Sequence, residues 1–200
     1  MYPSAIQKLL KQFYKLPGVG PRTAERFVFF LLKLREAELV EFGHALASLK
    51  KNLHECGNCF NLSEKELCNI CSDPRRDKDV LCVVAETREI PAIEQTGEYH
   101  GLYFVLGGNL DTIKGITPHD LRFRELVAKL QNPIVTPKEI IFGLNPHIEG
   151  ETTALYLKKI LEQFPDIRTT ILARGLPTGG DLEYADAKTV TDALINRKKV

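Results

Sequence analysis

Four of the five cysteines lie in two CxxC pairs that are separated by a short polar segment. Each pair can direct two thiolates at one ion, and two pairs complete a tetrahedral Zn²⁺ shell with no position left open for water. A segment this short and polar cannot fold around a core of its own, so the metal would supply its order. We predict one structural Zn²⁺ per chain. The predicted ligands are Cys56, Cys59, Cys68 and Cys71.

Disulfide bonding is another use of paired cysteines, and the expected cell compartment argues against it. The sequence has no signal-peptide pattern and no apolar stretch near about 20 residues. Such a chain is expected in the cytoplasm, away from membranes, where thiols stay reduced. Redox-active or unliganded cysteines remain the alternative to a metal site. Cys82 lies in an apolar stretch and is interpreted as a small buried residue.

Charge is divided unevenly along the chain. Residues 1–55 carry nine Lys and Arg against five Asp and Glu, a net charge of +4, whereas residues 79–200 carry 14 against 17, a net charge of −3. The basic excess in the N-terminal region could hold a polyanion. Apolar residues spaced three and four apart predict three helices in this region. The first is predicted to begin at Ser4 and to end at the segment Leu16-Pro17-Gly18, and the other two are predicted near residues 21–32 and 37–53.

The segment between the first two predicted helices reads LPGVGP. Gly18 and Gly20 permit a tight turn that a phosphate can approach closely, and the next helix directs its N-terminal amides at the same place. Arg22 and Arg26 share one face of that helix, and Lys15 precedes the turn. We predict that these five residues hold DNA phosphates without sequence preference. An ordinary helical hairpin with solvated arginines is the alternative, although the spacing resembles the helix-hairpin-helix motif of DNA-binding proteins.

Beyond residue 79, strand and helix patterns alternate along the chain. This alternation predicts an α/β domain with a mostly parallel sheet and helices on its faces. The predicted strands are Val80–Val84, Leu102–Leu106, Glu139–Phe142 and Thr169–Leu172. The predicted helices are Glu89–Gln95, Asp120–Leu130, Gly150–Phe164 and, after a loop rich in glycine, Ala187–Asn196. The polar segment Ser72–Lys78 is interpreted as a linker that precedes this domain.

A polar loop follows the third predicted strand. It carries Asn145, His147, Glu149 and Glu151 at alternate positions. Open α/β sheets usually bind ligands at the carboxyl ends of their strands, so this loop lies where a ligand is expected.

The order of elements after residue 79 resembles the Toprim fold of topoisomerases, bacterial primases and some nucleases. Active Toprim members hold Mg²⁺ with a glutamate at the end of the first strand and a DxD motif after a later strand. Here Ala85 stands at the end of the first strand, and Glu86 lies one step away, where the strand alternation turns it to the other face. Asn145 and His147 stand at the two DxD positions. We therefore predict a non-catalytic Toprim domain.

Two other classes of function stay open at this point. One is a divergent metal-dependent Toprim nuclease or phosphotransferase that uses Glu86, Glu149 and Glu151. The other is a protein adaptor that does not touch DNA, although the basic N-terminal region argues against it.

The basic hairpin, the four-cysteine module, the Toprim order and a tail that reads GLPTGGDLEY from Gly175 together resemble the RecR family of bacterial recombination mediators. The resemblance covers essentially the whole chain. The family also has Asn-Pro-x-x-Glu-Gly-Glu where this chain has Asn145 to Glu151, so the replaced metal ligands are a property of the family. The predicted regions are 1–55 (helical, helix-hairpin-helix, DNA-binding), 56–71 (four-cysteine zinc module), 79–174 (Toprim domain) and 175–200 (C-terminal tail and helix).

The resemblance also implies partners. It implies a clamp-like homo-oligomer, a dimer or a tetrameric ring, that holds single-stranded, double-stranded or gapped DNA. With RecO, and in some settings RecF, such a clamp helps to load RecA onto gapped DNA coated by single-strand-binding protein. We expect Asn145, Glu149 and Glu151 to form the docking surface for RecO; solvated carboxylates without a partner are the alternative.

The tail raises the separate question of nucleotide binding. Glu183 and Asp186 lie near a Walker-B-like segment of the family's tail. The sequence contains no GxxxxGK[ST] motif, so we do not expect nucleotide hydrolysis by this chain alone. A helix that packs on a neighbouring subunit is the simpler interpretation of this tail.

Overall fold

A computed structural model of the chain describes residues 2–132 and 136–197. Residue 1 and the last three residues of the predicted tail, 198–200, lie outside the described residues. The chain forms two compact units, residues 1–53 and 54–200. The first unit is helical, as predicted. Its helices are α1 (Ser4–Phe13), α2 (Pro21–Leu31) and α3 (Glu36–Asn52).

The core of the first unit forms between α1 and α2. Leu10, Ala24 and Val28 are buried there, and they lie on the apolar stripes that the sequence predicts for the two helices. Pro21 occupies the first position of α2, where its missing amide hydrogen leaves no partner unsatisfied. In contrast, α3 has no buried residue.

The second unit begins with the elements that frame the cysteines. A two-stranded antiparallel ribbon is followed by a single helical turn. These elements are β1 (His54–Glu55), β2 (Leu62–Ser63) and α4 (Asn69–Ser72). The sequence did not predict them, because strands of two residues are too short to show an alternating pattern.

Four parallel strands form the main sheet in the order β4-β3-β5-β6. They are β3 (Asp77–Val84), β4 (Gly101–Val105), β5 (Glu139–Phe142) and β6 (Arg168–Ile171). Alternate residues of β3 enter different cores: Leu81 and Val83 face one apolar cluster, whereas Cys82 and Val84 face another. Both faces of this strand are therefore covered, which explains its nearly continuous apolar sequence.

Helices cover the sheet on both faces. Phe123 and Leu126 of one helix and Leu157 of another lie in the larger core, and Ile90 lies in the smaller one. These helices and the helix of the tail are α5 (Ile90–Glu94), α6 (Phe123–Leu130), α7 (Ile148–Leu161) and α8 (Ala187–Ile195). The predicted α/β architecture is confirmed. None of the helices within the described residues is long and apolar enough to cross a bilayer.

Local hydrogen bonds explain where element boundaries differ from the predicted ones. The helix α6 begins after Asp120, because that carboxylate accepts the N–H of Thr117 at 2.8 Å and closes a turn. The helix α7 begins before Gly150, because the ring of His147 caps it. The predicted linker is partly structured, since β3 already begins at Asp77.

The same linker segment is anchored to the sheet domain by an ion pair. The guanidinium of Arg76 pairs with the carboxylate of Glu94 on α5, and the Arg76 side chain is only 15% exposed. This contact lowers the pKa of Glu94. The hydroxyl of Tyr103 also donates to Glu94, at 2.7 Å. The segment between the cysteines and the sheet is therefore held in place.

Candidate functional sites

The four predicted metal ligands converge in the second unit. Their Sγ atoms all lie within 4.8 Å of one another, and those of Cys59 and Cys68 are 3.6 Å apart. Four sulfurs placed tetrahedrally about 2.3 Å from one Zn²⁺ would lie about 3.8 Å from one another. None of these four cysteines forms a disulfide bond, and Cys56 and Cys59 are at most 1% exposed. The donor set and its spacing fit a closed zinc site.

Hydrogen bonds support the sulfurs of this cluster. The N–H of Cys68 donates to Cys56 Sγ at 3.3 Å, and the N–H of Cys71 donates to Cys68 Sγ at 3.5 Å. Asn58 Nδ2 donates to Cys71 Sγ at 3.3 Å. Hydrogen bonds from Cys59 and from Asn58 lower the pKa of Cys71 to about 5. The thiolate is the form that binds metal, and these hydrogen bonds favour the thiolate of Cys71.

The cysteine module is joined to the sheet at β4. The N–H of Val105 donates to the carbonyl of Cys59 at 2.9 Å. Phe60 has a φ of 63°, which turns the chain back, and its ring meets that of Phe104 edge to face at 5.4 Å. The guanidinium of Arg122 lies 4.9 Å from the centre of the Phe60 ring. The module and the Toprim-like sheet therefore belong to one packed unit.

The residues predicted to bind DNA lie in the first unit, at the turn between α1 and α2. Gly18 has a φ of 76°, a conformation that strains any other residue, and Gly20 is the N-cap of α2. Arg22 and Arg26 are exposed, and neither makes a hydrogen bond or an ion pair within the described residues. Lys15 donates to a glutamine one turn before it at 2.9 Å.

The electrostatics of this turn suit an anion. No acidic residue lies in the first turn of α2, so nothing there compensates the positive end of the helix dipole. Arg22 and Arg26 add two cations one helical turn apart. Such an arrangement can hold phosphate groups.

The loop after β5 contacts a carboxylate that was not among the predicted site residues. Asn145 Nδ2 donates to one oxygen of Glu89. The other oxygen of Glu89 accepts the N–H of Ala85 at 2.8 Å and that of Glu86 at 3.0 Å. A glutamate three residues after Glu86 is the spacing of a capping box, and this signal could have identified Glu89 from the sequence.

The loop then folds back tightly onto the start of α7. A Cβ atom at Gly150 would collide with the carbonyl oxygen of Asn145, so the fold requires glycine there. His147 Nδ1 lies 3.1 Å from the N–H of Gly150 and 2.9 Å from a carboxylate oxygen of Glu149. A neutral His147 accepts the bond from Gly150, whereas a protonated ring faces the carboxylate of Glu149.

Glu151 is engaged inside the chain. Its carboxylate accepts hydrogen bonds from Arg174 at 2.8 Å and from Lys188 of α8. Lys188 and Arg174 hold the pKa of Glu151 below its usual value. Arg174 also lies 3.8 Å from Asp192 of α8. The carboxylate of Glu151 thus ties the C-terminal tail to α7.

The carboxylates around this loop have separate partners. The carboxylate of Glu86 lies 2.8 Å from the guanidinium of Arg88. Within the described ranges, the four cysteines are the only group of three or more His, Cys, Asp or Glu side chains placed to share one ion. The residues that a Toprim phosphotransferase would use therefore do not come together there.

The acidic residues of the tail have local surroundings. Asp186 caps α8, because its carboxylate accepts the N–H of Thr189 at 3.0 Å and the hydroxyl of the same residue at 2.6 Å. Glu183 is exposed in a single 3₁₀ turn that precedes this helix. Asp186 thus has a structural role in starting the helix.

Four family models match successive parts of the chain. They match in the order of the predicted regions, and together they leave only short gaps. The matches are RecR, helix-hairpin-helix, at residues 6–50; RecR, four-cysteine zinc finger domain, at 53–73; Toprim domain, at 79–173; and RecR, C-terminal, at 175–198.

Proposed function

The chain belongs to the RecR family, and from that premise we propose that it is a non-catalytic clamp that binds DNA during recombinational repair. Membership of the family already implies a role in recombinational repair. Our proposal adds that the clamp acts with RecO, and with RecF, to help load RecA onto gapped or single-stranded DNA.

One observation carries the DNA-binding part of this proposal. Arg22 and Arg26 are exposed at the amino end of α2 and have no partner within the described residues. Cations without a protein partner beside free helix amides are available to phosphates. We infer that these arginines, Lys15 and the amides around Gly18 and Gly20 hold the DNA backbone.

The exposed face of α3 supports assembly into an oligomer. This helix has no buried residue, yet it carries large exposed apolar side chains. Phe42, Leu46 and Leu49 lie on one side of the helix, and Val40 lies on the other. An apolar surface of this kind is a usual feature of a protein–protein interface. A clamp needs more than one copy of a 22.5 kDa chain, and we propose a dimer or a tetrameric ring. The solution mass with and without DNA tests this.

The four-cysteine cluster is proposed to hold one Zn²⁺ in each chain. Cys56, Cys59, Cys68 and Cys71 would fill its coordination shell, as their spacing allows. Zinc when bound supplies structural order and no catalysis, because a closed shell has no position for water or substrate.

The loop after β5 is proposed as the RecO docking surface, built where active Toprim enzymes hold a metal. Asn145, Glu149 and Glu151 are the predicted contact residues. Glu149 is the most available of them, because Asn145 donates to Glu89 and Glu151 accepts from Arg174 and Lys188. The neighbouring Ile148 is 80% exposed, which gives the surface an apolar point beside its charges. Charge complementarity mainly speeds encounter and fixes register, so a basic partner surface is expected.

A salt titration tests the DNA-binding proposal. Arg22→Ala with Arg26→Ala should weaken binding about equally on unrelated DNA sequences, because only phosphate contacts are lost. Two lost contacts should reduce the slope of log K against log salt by about 1.4–1.8.

The matched control removes the same charge from the end of α3, with Lys50→Ala and Lys51→Ala. This control should leave the slope nearly unchanged. An equal loss of affinity and of slope in the two double variants would show that DNA binding depends only on net charge. An unchanged slope in the arginine variant would contradict the proposed site.

A further inference from the structure

Lys129 of α6 lies against the four-cysteine cluster from the side of the sheet domain. Its Nζ donates to the carbonyl oxygen of Asn58 at 3.1 Å and also to Asn58 Oδ1. The side chain is half-buried. Its charge interacts with Cys71, Cys59 and Cys56. Lys129 stands far outside residues 53–73, which match the zinc-finger model.

The charge of a zinc–thiolate centre explains why a buried lysine would be placed here. Four thiolates and one Zn²⁺ carry a net charge of −2, and a buried net charge needs compensation. A buried ammonium has the same difficulty, and burial lowers the pKa of Lys129 while the cysteines oppose that change. The attraction between the ammonium and the anionic metal centre offsets the free-energy cost of burying each of them when they lie together.

Asn58 connects Lys129 to a metal ligand. The side-chain oxygen of Asn58 accepts from Lys129, and the side-chain nitrogen of Asn58 donates to Cys71 Sγ at 3.3 Å. The lysine therefore fixes which end of the amide faces the sulfur. A hydrogen bond to a ligand atom orients it and adjusts its basicity, which is the usual effect of residues around a metal site.

We propose that Lys129 is a positioning residue of the zinc site: it balances part of the charge of the metal centre and, through Asn58, orients the hydrogen bond to Cys71. Retention of the metal in the zinc finger then depends on a side chain of the Toprim domain. This inference rests on the proposed zinc binding and adds a residue that the zinc-finger segment does not contain.

The test measures metal affinity of the full chain by competition with a chelator. Lys129→Met keeps the aliphatic length and removes the charge, and we expect a loss of zinc affinity of about 10-fold or more. Lys129→Arg keeps the charge, and its zinc affinity should lie between those of Lys129→Met and the wild type. The matched control is Lys159→Met on α7, an exposed lysine without a polar partner among the described residues, which should bind zinc as the wild type does.

Cobalt substitution separates positioning from a general loss of stability. Lys129→Met should shift the sulfur-to-cobalt charge-transfer band of the Co²⁺-loaded chain, because the hydrogen bond to Cys71 changes. Asn58→Ala should produce a similar shift, and the double variant should add little to either single one, since both act through one contact.

Three results would decide against part of the proposal in distinguishable ways. Equal zinc affinity in Lys129→Met and Lys159→Met would overturn the role of Lys129. A lower melting temperature with unchanged affinity and unchanged cobalt bands would show that Lys129 is merely structural, and would overturn it too. A wild type that binds no zinc would overturn the zinc site itself.

Discussion

The four-cysteine cluster and the loop after β5 are both collections of potential metal ligands, and they differ in where those ligands point. The cysteine sulfurs lie within 4.8 Å of one another. Around the loop, Asn145 donates to Glu89, Glu149 faces His147, and Glu151 is bound by basic side chains. The potential ligands of the cysteine cluster converge on one point, whereas each carboxylate around the loop has its own hydrogen-bond or ion-pair partner.

The difference shows that a metal site needs the convergence of its ligands as well as suitable residue types. Thiolates brought together in a buried space repel one another, so either protons or a cation must balance their charge. Carboxylates that accept hydrogen bonds from amides or pair with lysine and arginine are already satisfied. Substitutions in each region test this contrast, and the expected effects differ in size.

The largest effect should follow from Cys59→Ser. Loss of one thiolate opens the shell, and structural zinc in small fingers contributes apparent binding free energies of about 10–16 kcal/mol, so much of the order of the module should be lost with the ion. Metal analysis and the melting temperature measure this. Cys82→Ala is the control, because Cys82 is buried in the sheet and lies outside the cluster. Full zinc content in the Cys59 variant would contradict the assignment.

The second effect concerns docking at the loop. Glu149→Ala should weaken RecO binding by about 1.4 kcal/mol, or roughly tenfold in Kd, while DNA binding by this chain alone stays the same. Calorimetry with purified RecO measures RecO binding, and the salt titration measures DNA binding. Glu162→Ala, an exposed glutamate at the end of α7, is the control. Intact affinity in a Glu149→Ala, Glu151→Ala double variant would show that the docking proposal is wrong.

A smaller effect is expected from Glu151→Gln, which tests whether this carboxylate acts inside the chain. The neutral side chain keeps its size and loses the pairing with Lys188 and Arg174. Hydrogen exchange of the α8 amides should become faster, with α6 as an internal reference. Exchange in α8 that matches the wild type would mean that the tail is held by other contacts.

The pairing of Glu151 also has a pH dependence of known sign. Its pKa in the folded chain is lowered from 4.5, first by Lys188 and then by Arg174. The pairing therefore adds to the stability of the folded chain at pH values above the ordinary glutamate pKa. This added stability disappears as the pH falls through the lowered pKa. We expect the hydrogen-exchange rates of the α8 amides to differ between the wild type and Glu151→Gln at neutral pH and to become equal in acid.

The smallest effect, none at all, is expected from Mg²⁺. The carboxylates near Asn145 are engaged, and His147 offers a ring nitrogen where Mg²⁺ prefers oxygen. Millimolar Mg²⁺ should leave the melting temperature unchanged and should cause no DNA cleavage. Turnover of DNA by the wild type with Mg²⁺ would overturn the non-catalytic proposal and restore the nuclease alternative.

Short-range patterns were enough to predict most of the fold. The cysteine spacing, the apolar stripes of α1 and α2 and the apolar strands of the sheet appear in local sequence, because each depends on residues a few positions apart. The side-chain partners do not appear there. Lys129 and Asn58 are 71 residues apart, and Lys188 and Glu151 are 37 apart, so no periodicity connects them. The sequence could show that Glu151 is acidic, but it could not show that the tail already holds it.

The hydrogen bond from Val105 to Cys59 has a consequence for how this protein would fail. The strand β4 is at one end of the sheet, and the cysteine module covers part of its outer edge. An uncovered edge presents unpaired amide and carbonyl groups that another chain can join. If the proposed zinc orders the module, loss of the ion would uncover this edge, and the chain would then aggregate more readily as its concentration rises.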